Sequence, residues 1–347
     1  MRMFIAGFAA ATALGAAASA QTFEGSDGIE LREVFATVTI KLDGDGPLTL
    51  ARTGPGADDL RIREDRAVSI LGEFEHDAFK QDFRAAVRKT PKGVDRSERA
   101  FLKMLEDQPT LTIVAAPGTA IRVVDGAVKL TVEGDAGAVE ITHNAMLLVE
   151  MDDFETGSIE VAGPGDVRVG NIADAFKGMV HGSGDLTFEN AGSAKVTVHG
   201  SGDLEGRVIR GDLIAAVHGS GDLELTRVGG DAEASVHGSG DLDLGAVNGA
   251  LKADVHGSGD LTADSVSKHL KASVRGSGDV NVVGGAVEEL VASVSGSGEL
   301  TYGGEAKTAD LSSSGSGSID VGKVSGNLTA SGKGISVDGK RVGGENN

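Results

Sequence analysis

The hexad HGSGDL begins at His181, His199, His218, His237 and His256, and continues as RGSGDV at Arg275, SGSGEL at Ser295 and SGSGSI at Ser314. AGPGDV at Ala162 is one further copy upstream. Successive starts lie 19, 18, 19, 19, 19, 19, 20 and 19 residues apart. A period near 19 fits one coil of a solenoid and is too short for a propeller blade or a helical-hairpin repeat. No such unit can bury a core alone, so the copies have to stack on one another.

Within a copy, apolar and polar residues alternate. The copy starting at His237 has Leu242, Leu244, Val247, Leu251, Ala253 and Val255, and the next has Leu261, Ala263, Val266, Leu270, Ala272 and Val274 at the same places. Period two indicates strands, and equal positions in successive coils should stack about 4.8 Å apart in parallel sheets. Small residues in one inward column (Ala234, Ala253, Ala272) leave room for Leu or Val on the facing wall. The glycines of GSG recur in every coil, which makes GSG a corner demanding a bulge, a positive φ or a close backbone approach. A second corner falls at Gly229-Gly230-Asp231 and Asn248-Gly249, and the one-residue length changes near Gly192 and Gly284-Gly285 fall at such corners. The expectation is an all-β, right-handed, single-stranded parallel β-helix of about nine repeat coils.

Four segments are expected: a signal peptide over 1–20, an N-terminal β region over 21–162, regular repeats over 163–338 and a disordered tail over 339–347. The first rests on Arg2, an apolar run from Met3 to Leu14 and the small residues Ala18-Ser19-Ala20. Gly7, Thr12 and Gly15 break the run, so it is a poor membrane span, and no transmembrane segment is expected after cleavage. In the N-terminal region, ATVTIKL, PLTLART, PTLTIVAA and AVKLTVEG read as strands. Between Glu73 and Gln108 the period changes: Phe79, Phe83, Ala86 and Val87 share one helical face and Phe101, Leu102 and Leu105 another, with Asp95 or Ser97 as a cap. A helical hairpin is therefore inserted, and its expected role is to cover the open end of the β-helix.

The GSGD repeats preceded by alternating strands resemble the putative auto-transporter adhesin head GIN domain, a domain of exported bacterial proteins. The resemblance covers about Gly163 to Ile335, and more loosely the strands from Leu31. It implies a right-handed parallel β-helix and an adhesive role, and it supplies no catalytic residues. The hairpin lies outside the family pattern, and these residues lead to no expectation of a translocator barrel.

Two stacked columns are the candidate site: His181, His199, His218, His237 and His256, and Asp185, Asp203, Asp222, Asp241 and Asp260, the acids also continuing at Asp166, Asp279 and Glu299. Like charges at coil spacing repel by roughly 1 kcal/mol per pair even in water. Bound cations such as Ca²⁺ would relieve this. So would turn chemistry, each Asp accepting the N–H groups of its own corner, and Ser318 in the last copy suits that reading. The His column is either a stacked surface ladder or a set of transition-metal ligands, and two rings about 4.8 Å apart would have to tilt to share one ion. If the Asp column lies beside it, protonated rings are compensated and the fold survives mild acid, the arrangement expected here.

A Ser-His-Asp triad is rejected, because a nucleophile needs a unique environment and this set repeats five times on open corners. A carbohydrate-active β-helix enzyme needs long irregular loops around a cleft, and the coils differ by single residues; the hairpin acids Glu73, Glu75, Asp77 and Asp82 read as a solvated face. The formal net charge of −20 disfavours nucleic acid and favours cations or a basic partner. No cysteine is present, so stability comes from packing and backbone hydrogen bonds. The functional expectation is an exported, non-enzymatic binding or structural protein with an unknown cell-envelope or surface ligand and no cofactor, unless the columns hold Ca²⁺.

Overall fold

The structure is a computed structural model that describes residues 20–92, 95–143 and 145–343. The expected leader lies outside the described residues except for Ala20.

A regular coil contributes two strands, one to each of two parallel sheets. Leu223–Val228 lies in the first sheet and Ala232–Val236 in the second, and the next coil repeats them as Leu242–Val247 and Leu251–Val255. Pairing is parallel and in register across coils, Leu223 to Leu242 to Leu261 on one side and Ala232 to Leu251 to Leu270 on the other. Each predicted inward residue is buried, with Leu242, Val247, Ala253 and Val255 at 0% exposure. Volumes are matched between coils: a Cβ on Gly206 would strike the Phe188 ring, so the bare glycine is where that ring fits.

The N-terminal strands join the same stack, so the solenoid extends beyond the nine repeat coils. Gly28–Lys41 runs along the second sheet, bends, and continues in the first; Ala120–Glu133 copies that path with parallel register from Gly28–Ala120 to Lys41–Glu133. On its other side Gly28–Lys41 pairs with Val68–Leu71 and Thr110–Val114. The outermost coil is thus made of later sequence than the coil beneath it, an inversion that strand periodicity cannot reveal.

Helices α1 (His76–Lys89) and α2 (Arg96–Leu105) span the corner of that outermost coil. Their apolar faces bury Phe79, Phe101 and Leu105 against Ala127, Ala145 and Met146 of the following coils, with Phe35 and Phe74 packed alongside. Asp95 takes the cap position of α2 in a left-handed conformation without a side-chain cap bond, and Ser97 lies within the helix. The expected end cap is corrected: the hairpin lies along one lateral edge. The end itself is closed by antiparallel strands, Leu48–Thr53 against Thr110–Val114 and Arg61–Glu64 against Val68–Leu71. Antiparallel strands leave no continuing parallel register for another coil, which blunts the edge. The far end uses the same device, Lys340–Val342 pairing antiparallel with Ile335–Val337. Of the expected tail 339–347, Lys340–Val342 form this strand and residues 344–347 lie outside the described residues.

Candidate functional site

The GSG corner leads from the second sheet into the first. Its glycines are required by close approach and not by φ. Among the GSG copies from Gly182 onward none has a positive φ, and only Gly165 in the upstream AGPGDV copy does. A Cβ on Gly240 would instead run into the carbonyl oxygen of Gly221 one coil away, at a separation no real carbon–oxygen contact shows. Backbone hydrogen bonds account for the proximity: Ser239 N–H and Gly240 N–H both donate to the Gly219 carbonyl, at 3.0 and 3.3 Å.

The Asp column is a ladder of carboxylates, each satisfied by its neighbour. Asp185 Oδ1 accepts the backbone N–H of Asp203 at 2.9 Å, Asp203 that of Asp222 at 2.8 Å, and the pattern continues through Asp222 to Asp241, Asp241 to Asp260, Asp260 to Asp279 and Asp279 to Glu299. The expected acceptance within the same corner is corrected to acceptance from the next coil. Backbone bonds run the other way, as when Leu223 N–H donates to the Asp241 carbonyl at 3.0 Å. The second corner has a short version, Asp212 accepting from Asp231 and Asp231 from Ala250, both at 2.9 Å. The Ala250 N–H and the nearby Lys268 hold the Asp231 carboxyl below its ordinary value.

The His rings stack as a column, with successive centroids 4.8, 4.7, 4.8 and 4.9 Å apart from His181 to His256. Arg275, next in the column, lies 2.7 Å from His256 Nε2. No ion pair joins these imidazoles to the Asp column among the described residues, so the expected compensation is corrected. Burial, then the charge of His181, lowers the value of His199; burial, then His199 and His237, lowers that of His218. Among the described residues no three His, Cys, Asp or Glu side chains converge to hold one metal ion. In each ladder Asp from Asp185 to Asp279 it is Oδ1 that accepts the N–H of the next coil.

Carboxylates also face out of the first sheet beside the ladder. Burial pushes the Asp243 carboxyl up, and the charges of Asp241, Glu224 and Asp222 add to the effect. Glu299 is raised first by a hydrogen bond shared with Asp320, then by burial and by the charges of Asp320 and Asp279.

One feature escaped the sequence reading altogether. Between α1 and the outermost coils lies a cleft of about 510 Å³ whose lining includes Phe35, Phe74 and Phe79 together with Glu73, Glu75 and Asp82. Three of the four acids read as a solvated face thus border a concave aromatic surface. Only the crowding of phenylalanine around Glu73–Gln108 could have signalled it.

The model of the family described as putative auto-transporter adhesin, head GIN domain, matches residues 179–286 and 267–335. No curated protein matches the chain. Among solved structures, the crystal structure of a putative adhesin from Bacteroides fragilis NCTC 9343 is similar at 16% identity and a TM-score of 0.26, over 90% of this chain and 96% of that one. No helix among the described residues is long and apolar enough to cross a membrane. The helical hairpin and the inverted N-terminal coils lie outside the matched residues, and the recurring GSG corner with its Asp ladder lies within them. The likeness to the putative auto-transporter adhesin head GIN domain family is accordingly a likeness of the repeats over residues 179–335.

Proposed function

We propose that this chain is an exported, non-catalytic β-solenoid of the adhesion type, which presents its corner ridge and flanking sheets to a ligand of the cell envelope or a neighbouring surface. The observation that carries this reading is the sameness of the ridge. Rings recur every 4.7–4.9 Å and the ladder carboxylates are engaged in holding one coil to the next. Catalysis requires one group in an environment unlike its neighbours. A periodic surface is suited to many weak, repeated contacts, whose sum is an avidity that no single contact supplies. The net charge of −20 favours a basic partner surface and makes such contacts salt-dependent. The first 20 residues, with their basic start and small residues before Gln21, support export.

Fractionating cells that make the chain with a C-terminal epitope, then measuring retention of the purified protein on envelope fractions at increasing salt, tests the reading. The expected result is a processed form beginning at Gln21 outside the cytoplasm, and retention that weakens with salt. An unprocessed cytoplasmic protein, or turnover of a polysaccharide by the purified chain, overturns it.

A further inference from the structure

We propose that the cleft beside α1 is a binding site for a small organic cation carried on an apolar stem, an alkylammonium in chemical class. The inference is independent of the adhesive reading and concerns a different part of the molecule.

The floor of the cleft is aromatic. Phe35, Phe74 and Phe79 line it, with ring centroids 6.3 Å apart for Phe35–Phe74, 5.4 Å for Phe35–Phe79 and 5.2 Å for Phe74–Phe79. The rings of Phe35 and Phe74 remain half-buried, whereas the inward residues of the solenoid are buried almost completely. Of 11 phenylalanines, Phe35, Phe74, Phe79, Phe83 and Phe101 gather here, while the repeat coils from Leu204 to Val274 are filled with Leu, Ile, Val and Ala. Packing the hairpin alone needs no open ring faces.

The walls are acidic. Glu33, Asp59, Glu73, Glu75 and Asp82 line the same cleft, and no Lys or Arg is among its lining residues. The neighbouring cations are occupied or exposed: Arg61 reaches Glu73 at 3.5 Å on the surface, and Arg52 donates to the carbonyls of Ala57 and Leu60 at 3.0 and 3.1 Å. Glu33 lines the cleft from the bend of Gly28–Lys41, where its backbone is left-handed at φ 54°.

Aromatic faces attract a cation through their negative quadrupole, and carboxylates at the rim attract the same charge. An apolar stem would cover the exposed ring surface that water now meets. A volume of about 510 Å³ falls within the range of small-molecule sites. An anion would meet five carboxylates, and a neutral alcohol would gain only the apolar contact.

Calorimetric titration of the whole mature chain with hexyltrimethylammonium, hexanol and hexanoate tests the assignment. The ammonium is expected to bind saturably, at least about tenfold tighter than hexanol, and hexanoate not at all. The Glu75→Gln/Asp82→Asn double variant and, separately, Phe74→Ala should each weaken the ammonium about tenfold, with melting curves verifying that the fold persists. Glu205→Gln/Glu224→Gln, on the first sheet far along the solenoid, should leave binding unchanged. No saturable ammonium binding, equal binding of hexanol, indifference to Glu75→Gln/Asp82→Asn, or an equal loss from Glu205→Gln/Glu224→Gln would each overturn the proposal.

Discussion

The N-terminal coils and the repeat coils make the same turn between the same two sheets by different means. Gly28–Lys41 bends at Glu33, φ 54°, and Ala120–Glu133 at Asp125 and Gly126, φ 54° and 108°, and in both the chain stays within one long strand. In the repeats the turn takes five residues, HGSGD, none of them left-handed from His181 to Asp279. The first solution stores strain in one residue and leaves the corner narrow enough for a helical hairpin to pack over it. The second exchanges strain for crowding, since its glycines lie against the backbone of the adjacent coil. It also creates the ladder of Asp carboxylates from Asp185 to Asp279.

The comparison breaks most visibly at glycine. Gly240→Val should cost more than about 5 kcal/mol or prevent folding, because a side chain there meets backbone that cannot retreat without losing the coil spacing. Ser239→Ala in the same corner should be nearly silent, and equal melting temperatures for the two variants would dissolve the close-approach account. Removing one rung is a smaller perturbation. Asp222→Ala orphans the Asp241 N–H and should cost about 1 kcal/mol, while Asp222→Asn, which keeps an acceptor, should recover most of it. Faster amide hydrogen exchange at Asp241 in Asp222→Ala alone is the accompanying signature.

The N-terminal corner should answer in the opposite sense. Glu33→Gly relieves a left-handed conformation that costs a side-chain-bearing residue about 1–2 kcal/mol, offset in part by the entropy of glycine, so the melting temperature should hold or rise slightly. A marked fall would mean that the Glu33 side chain contributes more than its backbone costs.

The smallest effect is that of pH on the His column. The folded values of His199 and His218 lie below the ordinary imidazole value, so the unfolded chain takes up protons first. Stability from this source is complete above about pH 6.5 and is lost as pH falls below it. Replacing His181, His199, His218, His237 and His256 by Gln should flatten the melting temperature between pH 7 and 5. If the variant retains the full pH dependence of the parent, the sensor lies among the acids.

Much of the solenoid could be read from the residues, because Leu242, Leu244, Val247, Leu251, Ala253 and Val255 recur with a period that only stacked strands satisfy. The His column followed directly from the same spacing. What escaped reading was whatever depends on distance between chain segments far apart in sequence. Asp222 was visible as a turn residue, but its partner is the N–H of Asp241, 19 residues on, and nothing local distinguishes that bond from one within its own corner. The order of the N-terminal coils was hidden for the same reason, as Val68–Leu71 alternates like any strand whichever side of Gly28–Lys41 it joins. The cleft required both: helices recognised from their period, and coils placed under them by that inversion.

The register between repeats has a consequence for size. Strand register runs unbroken from coil to coil between Leu204 and Val274, and both ends close with antiparallel strands that do not depend on how many coils lie between them. Insertion or loss of one 19-residue unit therefore changes the molecule in one dimension only, by about 4.8 Å. Length is a quantity that duplication can adjust in fixed steps, and the reach of the solenoid is set by the count of its coils.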